Sequence, residues 1–187
     1  MTLIILGILL WAVAHGLKIH APARRARLAD SIGEIPTKLG VAAVVIGGVV
    51  LMVLGYQQAE WVNVWYPPSW TVHLNNLLMV LSVAVYTAGG FPGHVRAWIR
   101  HPQLTGVKLW ATAHLIVNGD LASIILFGGL LAWAVVAMIG VNRRDGKPAK
   151  PAPGPVKWDL AHAGVTVVVF GAIAWAHDYL GVWPYPG

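Results

Sequence analysis

The 187-residue sequence contains no cysteine and few charged residues. Without a thiol, the chain cannot form a disulfide, a thiolate nucleophile, an iron–sulfur cluster or a zinc–thiolate site. Charged residues make up 11% of the sequence, whereas about a quarter is usual in soluble domains. The scarcity of charge argues against a soluble globular protein.

Hydrophobic residues make up 57% of the sequence and form long runs without an acidic or basic side chain. About 20 such residues in a helix span the hydrocarbon core of a bilayer, which is about 30 Å thick. The pattern predicts an all-α polytopic membrane helix bundle of about six transmembrane helices. We expect these at Leu3–Ile19, Thr37–Gln57, Val72–Phe91, Gln103–Asn118, Leu121–Val141 and Leu160–Tyr179.

The basic residues lie between the apolar runs rather than in one patch, so the net charge of +6 does not indicate nucleic-acid binding. All of them except Lys108 fall in the first, third and fifth predicted loops. The positive-inside rule makes these loops cytoplasmic and places both termini in the periplasm. We expect a single transmembrane domain over residues 1–187, with a Pro-rich cytoplasmic loop at about 142–158. We expect no internal repeat, and hence no inverted-repeat transporter.

Eight histidines are the most informative feature of so apolar a chain. Ionisable side chains inside membrane helices are costly and usually mark functional sites. His15 and His114 lie within predicted helices, and small neighbours leave room for a flat macrocycle; these are Ala12, Gly16, Ala111 and Ala113. A neutral imidazole is an established axial ligand of haem iron. On the residues alone, hydrogen bonding between helices is the simpler interpretation of the two histidines.

A second group of residues surrounds the predicted fourth helix. Arg100 precedes it, where an arginine can pair with an anion such as a haem propionate; a plain helix start with an interfacial arginine is the alternative. Asn118 follows His114 by one helical turn, so Asn118 or a backbone carbonyl can fix the tautomer of that ring. Asp120 is the expected N-cap of the fifth helix.

The stretch Arg100–Gly129 (RHPQLTGVKLWATAHLIVNGDLASIILFGG) resembles the core signature of the NnrU family. Trp11–Leu28 is similar to the family's N-terminal His-Gly and basic segment, and His177–Pro186 to its closing pattern. The members of the NnrU family are bacterial membrane proteins associated with denitrification and related to zeta-carotene isomerase. The resemblance implies an inner-membrane protein that binds haem b and serves nitrogen-oxide metabolism by redox, sensing or maturation.

The isomerase relatives hold haem b through two histidines, which match His15 and His114 here. The resemblance thus implies both as iron ligands and nitrogen-oxide respiratory proteins as partners. His101 and His162 are the reserve ligands if either assignment fails. The relatives' alternative cysteine ligand corresponds to Ala111, so a switch to thiolate ligation is impossible and isomerase chemistry is in doubt. The competing hypotheses are a haem-dependent cis–trans isomerase of a lipophilic polyene, a membrane methyltransferase, and a haem-free scaffold.

Overall fold

The computed structural model describes residues 1–146, 149–183 and 185. In this part of the chain, secondary structure is helical apart from one isolated antiparallel bridge between Asn63 and Asp120. The elements are α1 (Thr2–His20), α2 (Pro22–Ile32), α3 (Glu34–Gln57), α4 (Thr71–Thr87), a 3-10 turn (Ala88–Gly90), α5 (His94–Trp98), α6 (Pro102–Val117), α7 (Leu121–Asp145) and α8 (Lys157–Tyr179).

The all-α prediction is confirmed, and each of the six predicted helices is present with ends no more than four residues from those expected. Parts of two predicted features, the Pro-rich loop and the closing motif, lie outside the described residues; these parts are Lys147, Pro148, Pro184 and Pro186. The sequence did not predict α2 or α5, because both were assigned to basic loops. In α2, Pro22 starts the helix at a position that needs no N–H donor.

Five of the described helices are long and apolar enough to cross a membrane: α1, α3, α4 with its 3-10 extension, α7 and α8. Their apolar side chains remain largely on the outside of the protein, as a lipid environment requires. The remaining predicted span, α6, has 16 residues, which corresponds to about 24 Å of helix. The membrane character expected from composition is therefore supported by the fold.

The chain divides into two compact units, and the first consists of Met1–Val64 and Asp120–Gly146. Here α1 packs antiparallel to α3, and glycines allow the two backbones to approach closely. A β-carbon at Gly7 would lie 2.5 Å from the carbonyl oxygen of Gly48, and one at Gly55 would lie 2.7 Å from the backbone nitrogen of Ile4. Without a hydrophobic driving force between helices in lipid, such close packing is a main source of association.

The third long helix of the first unit, α7, runs parallel to α1. Ile8 lies against Gly129 near the start of the contact, and His20 lies against Gly140 near its end. At the start of α7, the Asp120 side chain accepts a hydrogen bond from the backbone N–H of Ser123 at 2.8 Å. Asp120 is therefore the N-cap of α7, as predicted.

The second unit consists of Trp65–Gly119 and Lys147–Gly187. Here α4 packs antiparallel to α6, with Gly106 of α6 against Tyr86. The buried Ser82 hydroxyl donates to the Gly106 carbonyl at 2.8 Å. On the other side of α4, the Thr87 and Thr166 hydroxyls are 3.1 Å apart, which joins α4 to α8. Polar side chains thus supplement close glycine packing in this unit.

Candidate functional site

The two histidines singled out from the sequence lie in nearly identical stretches, one in each unit. Gly7–His15 reads GILLWAVAH and Gly106–His114 reads GVKLWATAH, so six of nine positions are identical. In both, the glycine lies at the crossing with the packed partner helix, eight residues before the histidine. We had expected no internal repeat, and this motif is an exception. It covers nine residues, and its two copies lie almost a hundred residues apart, so a comparison of whole segments does not reveal it.

His15 lies near the end of α1 and is half-buried. Its Nδ1 is 2.9 Å from the carbonyl oxygen of Trp11, one helical turn earlier. Because a carbonyl can only accept, Nδ1 carries the hydrogen, and the neutral ring has its lone pair on Nε2. The backbone of α1 therefore fixes the tautomer that most metal-ligating histidines use when they bind through Nε2.

Two tryptophans flank the His15 ring in the first unit. The ring centroid of His15 is 4.2 Å from that of Trp11 and 5.1 Å from that of Trp133, which comes from α7. The two indoles meet edge to face at 5.3 Å. The buried Trp11 Nε1 has no hydrogen-bond acceptor among the described residues. A buried donor without an acceptor costs free energy, so this position fits a ligand that supplies an oxygen.

His114 lies near the end of α6, also half-buried, and repeats the local geometry of His15. Its Nδ1 is 2.9 Å from the carbonyl oxygen of Trp110, which fixes the same tautomer. The Trp110 ring is close, with centroids 5.1 Å apart and a tilt of 54°. The bond from Nδ1 to the backbone carbonyl four residues earlier is thus present in both units, and His177 makes the same bond to Ile173 at 2.8 Å.

The side chain of Asn118 bonds to the backbone of His114 rather than to its imidazole ring. Its amide nitrogen donates to the backbone carbonyl of His114 at 2.9 Å, which satisfies a carbonyl at the end of α6. Of the two partners considered for the ring, the backbone carbonyl of Trp110 is the one that bonds to it. Asn118 therefore acts on the helix end rather than on the ring.

The small residues around the histidines are not equivalent. Ala111 and Ala113 are fully buried, so the protein already covers the space beside them. A β-carbon at Gly16, by contrast, would meet one side chain among the described residues, the His20 ring at 3.7 Å. The expected room for a flat group therefore remains near His15 at Gly16, and Ala111 and Ala113 serve packing.

His162, considered as a reserve ligand, lies on α8 and is 6% exposed. Its Nε2 is 2.8 Å from the Ala84 carbonyl oxygen and 3.2 Å from the Thr87 hydroxyl. Nε2 therefore donates, and this histidine joins α8 to α4. The other reserve residue, His101, is the N-cap residue of α6.

Arg100 lies exposed in the turn between α5 and α6. From Pro102, the first residue of α6, to His114 the helix rises about 18 Å. Arg100 therefore lies far along the helix axis from His114.

Among the described residues there is no group of three or more histidine or acidic side chains that could hold a bare metal ion. A haem makes a smaller demand, since its porphyrin supplies four ligands and the protein one or two.

A polar group at the start of α7 was not anticipated as a site beyond the Asp120 cap. The Tyr56 and Ser123 hydroxyls are 2.9 Å apart, and Asp120 follows the turn at Gly119. Asp120 is 3% exposed, and its Oδ2 has no hydrogen-bond partner among the described residues. No hydrophobicity pattern signals such a group, because it depends on the pairing of α3 with α7.

The family described as NnrU protein matches the chain over residues 3–184, almost its whole length. The match includes both histidine stretches. A search of curated proteins and a search of solved structures each found no match.

Proposed function

The chain belongs to the NnrU family, and we propose that it is an inner-membrane protein that binds haem b and serves nitrogen-oxide metabolism. His15 and His114 are the proposed axial ligands. The observation that carries the proposal is the repeated stretch with its repeated hydrogen bond, since in both copies a tryptophan carbonyl accepts from Nδ1–H and holds the neutral ring with its lone pair on Nε2.

Several features near His15 suit a flat, amphiphilic ligand. Trp11 and Trp133 offer aromatic surface beside the imidazole, and haem is itself a large apolar ring with two carboxylates. The Trp11 indole N–H has no acceptor within the described part of the chain, and a haem carboxylate would supply one. Trp11 and Trp133 lower the polarity around the imidazole, and the polarity around a haem is a main influence on its potential.

When bound, the haem iron supplies one-electron chemistry and an affinity for small nitrogen oxides. The chain's own contribution is to hold Nε2 of each imidazole deprotonated and to limit ring rotation through the Nδ1 bonds. Because the acceptors of the Nδ1–H groups are backbone carbonyls, neither tautomer depends on the protonation of a carboxylate.

Absorption spectroscopy of the purified wild-type protein tests haem binding directly. We expect a Soret band and a pyridine haemochrome of haem b, with close to one haem per chain. A purified, folded protein that stays colourless after incubation with haem would overturn the proposal and favour a haem-free scaffold or methyltransferase-like protein.

Addition of nitric oxide to the reduced protein tests the nitrogen-oxide role, and a shift of the visible bands is the expected result.

We also propose that the chain crosses the membrane six times, with both termini in the periplasm. The parallel packing of α1 with α7 supports this number. α3 and α4 carry the chain across and back, yet α7 begins beside the end of α3, where Leu121 N–H donates to the Val62 carbonyl at 2.9 Å. The chain reaches that side only if α6 also crosses, and its about 24 Å suits a locally thinned bilayer.

Reporter fusions test this topology. A reporter after Arg144 should be active in the cytoplasm, because basic loops remain on that side. A reporter at the C-terminus should be active in the periplasm. Activity of both fusions on the same side would contradict the six-crossing arrangement.

A further inference from the structure

A cavity of about 500 Å³ opens in the first unit, where α1 and α7 both end. One part of its lining is basic or titratable, and these residues are His20, Arg143 and Arg144. Another part is aliphatic, and these residues are Ile19, Val136 and Ile139. The cavity therefore has an amphiphilic lining, which suits a ligand with an anionic head and an apolar tail.

Two contacts keep the ends of α1 and α7 together around this cavity. Arg144 donates from Nη1 to the carbonyl oxygen of Lys18 at 2.6 Å, which satisfies a carbonyl in the last turn of α1. Gly140 leaves the space that the rings and methyls of α1 occupy, because a β-carbon there would collide with His20 and lie 2.7 Å from Ile19. The basic groups are thus held at the mouth by the helix packing.

The charges around the cavity leave one guanidinium uncompensated. Arg144 forms an ion pair with Asp145, its neighbour in the chain. Among the described residues, no acidic side chain forms an ion pair with Arg143. Lys18 adds a further positive charge in the same turn of α1 as His20. The region therefore attracts an anion, and Arg143 is the group best placed to bind it.

The aliphatic part of the lining faces outward on a helix that is apolar enough to span a membrane. Val136 is 55% exposed and Ile139 is 43% exposed, and both precede the basic end of α7 by one or two turns. In a phospholipid the phosphate lies at the membrane surface and the acyl chains lie deeper. The basic end of α7 and the deeper Val136 and Ile139 match this arrangement. Guanidinium groups bind phosphate through paired, charge-assisted hydrogen bonds.

We propose that this cavity binds the phosphate headgroup of an anionic phospholipid, with an acyl chain along Val136 and Ile139. In the topology proposed above, on which this inference rests, the ends of α1 and α7 face the cytoplasm, where anionic lipids are common and basic pockets between helices are suited to them. The site does not depend on the haem proposal. Two other sources of an anion, free phosphate and a haem propionate, are distinguished by the experiment.

Native mass spectrometry of the full-length protein in detergent, with equal amounts of phosphatidylglycerol and phosphatidylcholine, tests the proposal. We expect wild type to retain phosphatidylglycerol preferentially. Arg143→Gln should lower this preference about fivefold, and Arg143→Lys should keep most of it because the charge remains. Arg27→Gln on α2, exposed and outside the cavity, should have no effect. Circular dichroism should show that all variants are folded.

Two further measurements identify the anion. Inorganic phosphate at millimolar concentration should neither compete with the lipid nor stabilise the protein, and equal protection by phosphate would overturn the lipid assignment. Haem content should be the same in Arg143→Gln and in wild type. An unchanged lipid preference with a reduced haem content would overturn the proposal and assign Arg143 to a propionate. An absence of haem from wild type would contradict the proposed function and leave the lipid result unaffected.

Discussion

The stretches Gly7–His15 and Gly106–His114 are both helical, and the histidine of each bonds through Nδ1 to a tryptophan carbonyl. The side chains around the two histidines differ. His15 contacts Trp133 from a third helix as well as Trp11 from its own. His114 follows Trp110, and its carbonyl accepts from Asn118 at the helix end. In both stretches the local sequence thus determines the helix, the position of the helix crossing and the tautomer of the histidine. The packing of further helices determines which side chains surround each imidazole ring. Changes at matched positions can test how far the two copies are equivalent.

The largest effect on stability should come from the two crossing glycines. A β-carbon at Gly7 would lie 2.5 Å from the Gly48 carbonyl oxygen, and one at Gly106 would lie 3.0 Å from the Ser82 carbonyl oxygen. Because backbone cannot move aside as a side chain can, Gly7→Ala and Gly106→Ala should each destabilise by about 1–3 kcal/mol. Unfolding in mixed detergent measures this.

Gly47→Ala and Gly128→Ala are the controls for the glycine variants, because no described residue outside the local helix backbone lies within 4 Å of a β-carbon at either position. Both should be neutral or slightly stabilising, since alanine favours helix by up to about 1 kcal/mol over glycine. If only one of the two crossing variants is destabilised, the copies are not equivalent in packing.

The next effect should be confined to the first unit. Trp133→Leu removes aromatic contacts with Trp11 and His15, and such contacts contribute about 0.5–1.5 kcal/mol beyond burial. We expect a loss of this size in unfolding experiments. In the haem-loaded protein we also expect a shift of the EPR g-values, because the His15 ring is less constrained. Trp98→Leu, at a position that is 69% exposed, should change neither quantity.

A smaller effect should be confined to the second unit. Ser82→Ala removes the buried hydrogen bond to the Gly106 carbonyl, and bonds of this kind between membrane helices average about 0.6 kcal/mol. The first unit has no counterpart among its described hydrogen bonds at Gly7. Ser31→Ala, exposed on α2, is the matched change, and a loss as large as that of Ser82→Ala would indicate that burial is irrelevant.

Arg100 should contribute least. If it binds a propionate at the exposed start of α6, Arg100→Ala should weaken haem retention by about 0.2–1 kcal/mol, as exposed ion pairs do. Transfer of haem to apomyoglobin measures the rate of loss, and Arg27→Ala controls for net charge. Equal rates in both variants would remove Arg100 from the haem site.

Most of the fold could be predicted from the sequence because an apolar run of fixed length has few alternatives in a bilayer. The basic helix α2 was not predicted because its eleven residues contain no apolar run, and a proline followed by charged residues is also typical of a loop. The helix ends were predicted where a local signal exists, as at Asp120, which caps α7.

The candidate site was predictable only in part. His15 and His114 stood out because ionisable residues are rare within apolar helices. Trp133 could not be predicted as a neighbour of His15, since the two are far apart in the chain and meet only through the parallel packing of α1 and α7. The sequence left open whether Asn118 or a backbone carbonyl holds the His114 ring, because a spacing of one turn brings a side chain equally close to a carbonyl and to a ring.

The central claim is that the histidines at matched positions of the two stretches, His15 and His114, are the iron ligands. EPR and absorption spectra of haem-loaded His15→Ala and His114→Ala, with the exposed His73→Ala as control, test it most directly. The account predicts a low-spin bis-histidine signal in wild type and in His73→Ala, and loss of that signal in each of the other two variants. A wild-type spectrum with full haem occupancy in either His15→Ala or His114→Ala would contradict it.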